Sequence, residues 1–589
     1  MWKMGIFRRA WNFFWSIVIY VATLFLLLTS VPLVIAMFLP FIAYKQIVIC
    51  ASIFKPEMGK VLSSRSIPAA SEDLYENPRM TIVLGIVCEG NNLELQSIRE
   101  IVKKEAILAR DSNGNLKYPE LGQNITTWMG YSFWKPIKDF KLEDHINYFD
   151  DSENSELTAS ELSHHLRTMS LRPFSKSSAL WELRIVPNFY FDNETHKPSE
   201  LELQEKYSLL IFRCHHSLGD GLSLLQLFDK FALTNKVILH PKSNVDMIGG
   251  NLCRWFKFLV KLPHDLGIFM FNSKMKPGKV LWRKQVLNKK ASQSSVVKKL
   301  LPTISEEDGT FSGSVSGEFP FSRIQELSQQ YRVSSGTSII LAGVCSVVRT
   351  FMLQSQEQDK LTDVPLQVNF PLPRRSDKLR NHAMVTSIML PIGEEDSVQR
   401  LLKIEKALAL AKSSTLTIFS VYAVNILTAL PDCIMRKVMK RLYQKDKIFF
   451  SNFAGPLQPI DMFGSLVKRF YFTCGMVKDS NTLGMTIGSY AGNVAYSIAA
   501  DQRLIPSCEI AKSYTNIFLK ELEILEQSFV VTSSNAAHEP IYRPNVYSNR
   551  SISGKLMCWT LNVRTWCVCN RKLCMNQTIY SLNSHSTLI

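Results

Sequence analysis

From Ala10 to Tyr44 the sequence has no charged residue, a run of 35 positions. About 20 apolar residues suffice to cross a bilayer, whereas the apolar core of a cleavable signal peptide is roughly 7–15 residues long. The missing charge therefore excludes an ordinary soluble segment and points to a retained membrane anchor. Lys3, Arg8 and Arg9 precede the run, and Lys45, Lys55 and Lys60 follow it. Positive charge on both flanks leaves two forms open, a tilted single span and a shallow hairpin. Ahead of the tail, closely spaced cysteine pairs are also missing. The eight cysteines from Cys50 to Cys508 lie singly, which excludes common zinc modules and suits a reduced, cytosol-facing body. Cys558, Cys567, Cys569 and Cys574 crowd the tail, but their spacing matches no common zinc module, and no metal site is expected.

Acids are scarce in two stretches. Residues 251–300 hold twelve Lys/Arg and one acid, Asp265; residues 530–589 hold six Lys/Arg and one acid, Glu539. These stretches carry most of the formal net charge of +17. Charge on a connection and a tail, rather than on a folded face, speaks against nucleic-acid binding. It suits an anionic lipid surface or an anionic co-substrate. The connection mixes Trp255, Phe256, Phe258 and Leu259 with lysines, the pattern of an interfacial amphipathic segment. The uncharged run Thr415–Leu430 is too short for a full span and is expected to be a core or interfacial helix. Four glycosylation sequons, at Asn124, Asn193, Asn549 and Asn576, would matter only if the body were lumenal.

What is present alternates between two periods. "MTIVLGIVCEG" (80–90), "ALWELRIVPNFYF" (179–191) and "KYSLLIFRCHH" (206–216) read as strands. "NLELQSIREIVKKEAI" (92–107), "SELTASELSHHLRTMSLRPF" (155–174) and "GLSLLQLFDKFAL" (221–233) read as helices. The second half repeats the alternation from 310 to 525. Two α/β runs joined by a basic connection predict a two-lobe α/β protein. The expected division is an anchor at 1–50, a polar link to about 78, a first lobe at 78–245, the connection at 246–300, a second lobe at 301–528 and a disordered tail at 529–589.

The chemistry-bearing stretch is "YSLLIFRCHHSLGDGLSLL" (207–225). Successive strand side chains point to opposite faces, so His215 and His216 diverge: one can enter a cleft while the other packs. Asp220-Gly221 makes a sharp turn before the helix. Histidine is the side chain best suited to removing an alcohol proton near neutral pH.

"HHSLGDG" (215–221) resembles the HHxxxDG signature of the bifunctional wax ester synthase/diacylglycerol acyltransferases, relatives of chloramphenicol acetyltransferase and of peptide-synthetase condensation domains. Further blocks follow the family's order. "FKLEDHI" (140–146) resembles its early segment and "SSALWELRIV" (177–186) its PLWE segment, with Ala179 for Pro. "VPLQVNFPLPRR…RNHAMVTSIMLPIG" (364–393), "FFSNFAGPLQPIDMFG" (449–464) and "LGMTIGSYAGNVAYSIAADQRLIP" (483–506) resemble its later blocks. The resemblance implies a two-lobe chloramphenicol acetyltransferase-like fold behind the N-terminal anchor. It implies transfer of a fatty acyl group from acyl-CoA, as co-substrate and without a cofactor, to a long-chain alcohol or diacylglycerol at a lipid membrane. It assigns His216 as general base, Asp220 as its structural partner, His215 as support and Gly221 as the turn that lets substrate approach. It places Trp181, Asn452 and Gly455 beside the substrate channel. Where the family often carries Asn-Asp at the start of a helix, this chain has Thr337-Ser338, a pair expected at the substrate; if that Asn holds the developing oxyanion, Thr337 must substitute with its hydroxyl or another donor must serve. Loss of such a donor costs about 100–1000-fold in rate. A catalytically silent lipid- or acyl-CoA-binding homologue is the alternative. The plant acyltransferases that share His-x-x-x-Asp also carry DFGWG, which is absent here. The expected location is the endoplasmic reticulum membrane, or a lipid droplet or the plasma membrane, with the catalytic body in the cytosol.

Overall fold

The computed structural model describes residues 2–90, 93–191, 206–232, 252–272, 311–315, 318–354, 361, 363–371, 378–381, 383–443, 448–475, 483–501, 505 and 508–535. Most of the basic connection (273–300), the tail from 536, its four cysteines and three of the sequons lie outside the described residues. The fourth sequon residue, Asn124, is buried in a strand and donates its amide to the Lys176 carbonyl, so it is closed to a glycan in this fold.

Helix α1 (Trp2–Ser52) continues unbroken through Pro32 and Pro40. It is the single-helix form of the two that the flanking charges left open. Its stretch Phe14–Ser52 contains an 18-residue window with a mean hydropathy of 2.5 and is long and apolar enough to cross a membrane. The part nearest its end is tied to the body. Phe38 packs on Ala429 and Leu430, Val48 packs on Tyr131 and Phe133, and Lys45 Nζ donates to the Thr428 carbonyl at 2.8 Å.

The first half of the body contains α2 (Ile67–Ala70), β1 (Thr81–Glu89), α3 (Leu95–Val102), β2 (Gln123–Trp128), β3 (Tyr131–Pro136), β4 (Ile146–Tyr148), β5 (Glu156–Thr158), α4 (Ala159–Leu171), β6 (Trp181–Tyr190), β7 (Tyr207–His215) and α5 (Gly221–Phe228). Helix α4 starts where Thr158 and Glu161 close a reciprocal capping box, satisfying two backbone N–H groups that the first turn leaves free. Helix α6 (Leu252–Asn272) follows. The second half contains β8 (Phe311–Val315), β9 (Phe319–Pro320), α7 (Phe321–Gln330), α8 (Gly336–Gln354), β10 (Val364–Pro371), β11 (Ala383–Leu390), α9 (Ser397–Ser413), α10 (Thr415–Leu427) and α11 (Asp432–Tyr443). It closes with β12 (Ile448–Ala454), β13 (Asp461–Met462), β14 (Ser465–Cys474), β15 (Leu483–Tyr490), β16 (Asn493–Asp501) and α12 (Cys508–Asn535).

The expected two-lobe α/β arrangement is present, with one mixed seven-stranded sheet in each lobe. The first runs β13-β14-β1-β7-β6-β4, with β5 also on β6. The second runs β11-β10-β12-β15-β16-β8, with β9 also on β16. Two features depart from the division expected from sequence. Residues 53–77 are not a polar link, because Leu62, Ile67, Ala70 and Leu74 are buried in the first lobe's core. The β13–β14 hairpin belongs by position to the second lobe, yet β14 pairs antiparallel with β1 of the first sheet. Strand β1 is buried from Thr81 to Cys88, so both its edges need partners; β7 covers one and β14 the other.

Helix α8 shows why composition alone misleads. Its stretch Gly336–Leu353 has a mean hydropathy of 1.7 and passes as a span by length and apolarity. It is instead the centre of the second lobe's core, with Ile340, Val344 and Val348 packed among Phe450, Met485, Ile498 and Phe518. Helices α9 and α10 meet at a 50° bend. One polar residue of α9 is anchored inside: Arg400 Nη2 lies 2.6 and 2.8 Å from the two Glu521 carboxylate oxygens, and both residues are almost fully buried.

Candidate active site at the end of strand β7

The two histidines diverge as the strand period requires. His215 is wholly buried. Its Nδ1 accepts from the Ser217 backbone N–H at 3.1 Å, so the ring proton sits on Nε2 and is donated to Glu72 Oε1 at 3.1 Å. The same Glu72 oxygen accepts from the backbone N–H groups of Arg79 and Met80, each at 2.8 Å. Burial pushes the His215 pKa down and the Glu72 carboxylate pushes it back up, with burial the larger effect. His215 therefore clamps the entry of β1 to the exit of β7. Glu72 lies in the stretch taken as a link, and no local pattern marks it.

His216 is only partly buried, just past the strand end. Its Nδ1 lies 2.8 Å from Asn381 Oδ1. The Asn381 amide is oriented by its other contacts: Nδ2 lies 2.7 Å from the His216 carbonyl oxygen and 3.4 Å from the Arg65 carbonyl oxygen, and carbonyls only accept. Oδ1 is thus the atom facing the ring, and Nδ1 of the neutral imidazole must carry the proton. The lone pair is left on Nε2. Asn381 stands in the "RNHAMV" block, 165 residues from His216, and sequence reasoning did not single it out.

Asn381 reaches His216 because residues 378–381, between β10 and β11, cross to the first lobe. Leu379 is buried in that lobe's core, and the Arg380 carbonyl accepts from Ser223 Oγ. Asp220 is the N-cap of α5: its Oδ1 accepts from the Ser223 backbone N–H at 3.0 Å. An N-cap of this type holds the helix start by about 0.5–2 kcal/mol. Asp220 thereby sets the turn after His216.

Gly221 follows at the first helical position. A Cβ there would lie 2.8 Å from the Phe453 ring of β12, so glycine lets the two lobes meet beside His216. Phe453, rather than Asn452, is the β12 side chain at this contact. Asn452 is exposed and, by strand alternation, points to the opposite face. Gly455 is required by backbone crowding: a Cβ would lie 2.3 Å from the Ser489 carbonyl oxygen, to which the Gly455 N–H donates at 2.9 Å. Ser338 is fully buried and gives its hydroxyl to Glu405 Oε2 of α9 at 2.5 Å, while Thr337 beside it is partly buried. The Ser338 hydroxyl is thus committed to joining α8 and α9. Beside Phe453, between β14 and the β15–β16 pair, lies a cavity with about 510 Å³ of empty space.

Trp181 is buried and lines a small apolar cavity in the first lobe. Its indole N–H donates to the Leu121 carbonyl at 2.8 Å, and its ring stacks between His145 and Phe212. His145 is held by the Trp181 carbonyl, 2.7 Å from Nδ1, and burial lowers its pKa. The next residue, Glu182, gathers Arg172, Arg184 and Arg213. Burial alone would raise its carboxyl pKa, but the three arginines outweigh burial and hold it at about 2, against an ordinary 4.5. A depressed carboxyl pKa stabilises the fold above the unfolded value and loses that contribution as pH falls. We expect unfolding free energy to drop by about 3 kcal/mol through Glu182 between roughly pH 5 and pH 2. Urea titrations of wild type and Glu182→Gln across that range should converge at the acid end. A constant gap would refute the assignment.

A family model described as the WS/DGAT C-terminal domain matches residues 380–523. The chain is 22% identical over 411 residues to wax ester synthase/diacylglycerol acyltransferase 2 of Arabidopsis thaliana, covering 64% of this chain and 79% of that protein. Among solved structures, it is similar to the wax ester synthase/diacylglycerol acyltransferase from Marinobacter aquaeolei VT8, with 15% identity, a TM-score of 0.49 and coverage of 80% of this chain and 100% of that one. It is also similar to the first condensation domain of the CDA synthetase, with 9% identity, a TM-score of 0.45 and coverage of 80% and 96%. Residues 380–523 thus match the WS/DGAT C-terminal domain, and most of the chain is similar in sequence to a wax ester synthase/diacylglycerol acyltransferase.

Proposed function

We propose that this protein is a membrane-bound, acyl-CoA-dependent O-acyltransferase that esterifies a long-chain alcohol or diacylglycerol, with His216 as the general base. The observation that carries the reading is the Asn381–His216 pair, which leaves Nε2 free to accept a proton. The hydroxyl oxygen of the acceptor attacks the thioester carbonyl carbon as Nε2 takes the hydroxyl proton. The resulting tetrahedral oxyanion collapses, the C–S bond breaks, and the leaving thiolate takes the proton from Nε2. Ester and free CoA result, with no covalent enzyme intermediate and the ring returned to its starting tautomer. Asp220, Gly221 and the crossing segment 378–381 hold the base in place; His215 supports it from behind.

The exposed apolar surface supports a membrane location. Val21, Phe25, Leu28 and Leu33 of α1 are exposed, as are Trp255, Phe256 and Leu259 of α6 and Phe419 and Ile426 of α10. Helix α6 packs on α1 where Gly267 meets Ile19 and Thr23, and on α10 through Phe258 and Leu262 against Leu416 and Ile418. A small residue at a helix crossing is how apolar helices approach closely in lipid. Lipid-soluble acceptors would reach such an enzyme from the bilayer. Free Cys50, Cys88, Cys214, Cys345 and Cys433 support a body in the cytosol, and the endoplasmic reticulum is the compartment we favour.

Membranes containing the protein, supplied with labelled palmitoyl-CoA and either hexadecanol or diacylglycerol, should form labelled wax ester or triacylglycerol. Acyl-CoA binding without product from these or other acceptors would replace this reading with that of a catalytically silent lipid-binding homologue.

A further inference from the structure

The apolar cavity beside Trp181 has a floor made by the second lobe. Its walls include Trp181, Phe212, Phe228 and Phe231, and Met462 and Phe463 at the tip of the β13–β14 hairpin close it. Phe231 and Phe463 stack with ring centroids 5.2 Å apart, and the Phe463 N–H donates to the Phe231 carbonyl at 3.1 Å. All its lining residues are apolar. Water would find no hydrogen-bonding partner there, so the space suits a hydrocarbon group.

Its position relates it to the base. Phe212 is the cavity's wall on β7, and His216 follows directly after that strand's last residue. At ~3.3 Å per strand residue, the separation is about 13 Å. A chain whose reacting end lies at His216 could run that distance along α5 to the cavity. The hairpin tip shows a further feature. Phe463 has φ = 54° and Gly464 φ = 85°, with Met462 paired to Ser465. Two left-handed residues in a two-residue hairpin favour Asn-Gly. A phenylalanine in the first of these positions is conformationally costly, and its ring is the part that reaches the cavity.

We propose that this cavity is the terminal subsite for the unbranched alkyl chain of a substrate, and that Phe463 is its floor and sets the chain length accepted. The proposal rests on the acyltransferase reading above. Two variants pull in opposite directions. Phe463→Asn removes the ring while relieving the backbone, so it should keep or raise the unfolding temperature and favour longer chains. Ala106→Leu adds bulk to the cavity wall and should favour shorter ones. Each methylene gained or lost inside is worth ~0.8 kcal/mol, about a fourfold change in relative kcat/KM. Two substrate series separate the sources of the chain: acyl-CoAs of increasing length with one alcohol, and alcohols of increasing length with one acyl-CoA. Opposite shifts of the two variants within one series would establish the subsite and name its occupant. Unchanged profiles in both series, in folded variants, would overturn it. If wild type forms no ester, the acyltransferase reading fails separately. Binding of a polyene fatty acid that fluoresces in apolar surroundings then tests the cavity, with tighter binding of longer chains by Phe463→Asn expected and unchanged binding overturning it.

Discussion

Replacing His216 with alanine should lower ester formation by about 10²–10⁴-fold, the range that a positioned acid–base residue contributes. The loss should fall on kcat rather than on the KM for acyl-CoA, because the ring acts on a proton that moves only in the transition state. His216 is partly exposed and its ring makes one side-chain hydrogen bond, to Asn381, so the unfolding temperature should fall only slightly. The neighbouring histidine cannot stand in for it. His215 is buried on the opposite side, with Nδ1 accepting from Ser217 and Nε2 donating to Glu72. Retention of most activity in a folded His216→Ala protein would refute the base assignment, whatever the product.

Asn381 should be nearly as important, although it touches no reacting atom in this scheme. It is a positioning residue: it fixes the ring's tautomer through Nδ1 and its place through the His216 carbonyl. Asn381→Leu keeps the size and removes both interactions. We expect kcat to fall on the order of 10²-fold, the scale of a misplaced catalytic group, with little change in KM. Asn381→Asp still accepts from the Nδ1 proton but cannot donate to the His216 carbonyl, so it should retain clearly more activity than the leucine variant. A purely structural asparagine would give a different pattern, with activity in both variants following their unfolding temperatures. Nitrogen NMR of the His216 ring offers a direct check, since wild type should show the proton on Nδ1 and Asn381→Leu should lose that preference.

Much of the site was legible because it is local. A strand ending in His-His separates the two rings by its own geometry. Asp-Gly before an apolar helix reads as a sharp turn, and the turn is there; that Asp220 makes it by capping α5, and that the close approach at Gly221 is of the Phe453 ring, only the packed chain shows. The interior of the second lobe was legible as strands and helices for the same reason. The Asn452 expectation went differently, since alternation along β12 turns Phe453 to the contact and leaves Asn452 outside. Ser338 was considered for a role at the substrate, and its hydroxyl is engaged by Glu405 instead.

The sequence by itself determined the elements whose signals repeat over a few residues: the long uncharged helix, the strand and helix periods, and the capped turn after His216. Tertiary structure alone decided which atoms meet. It brought Asn381 across 165 positions to choose the histidine tautomer, and set Glu72 behind His215. It also moved the β13–β14 hairpin into the other lobe's sheet and buried α8 despite its membrane-like composition. The physical reason is the same in each case. Hydrophobic periodicity is a property of neighbours along the chain, whereas a hydrogen-bond partner or a strand edge is chosen by whatever group the packed chain brings within reach.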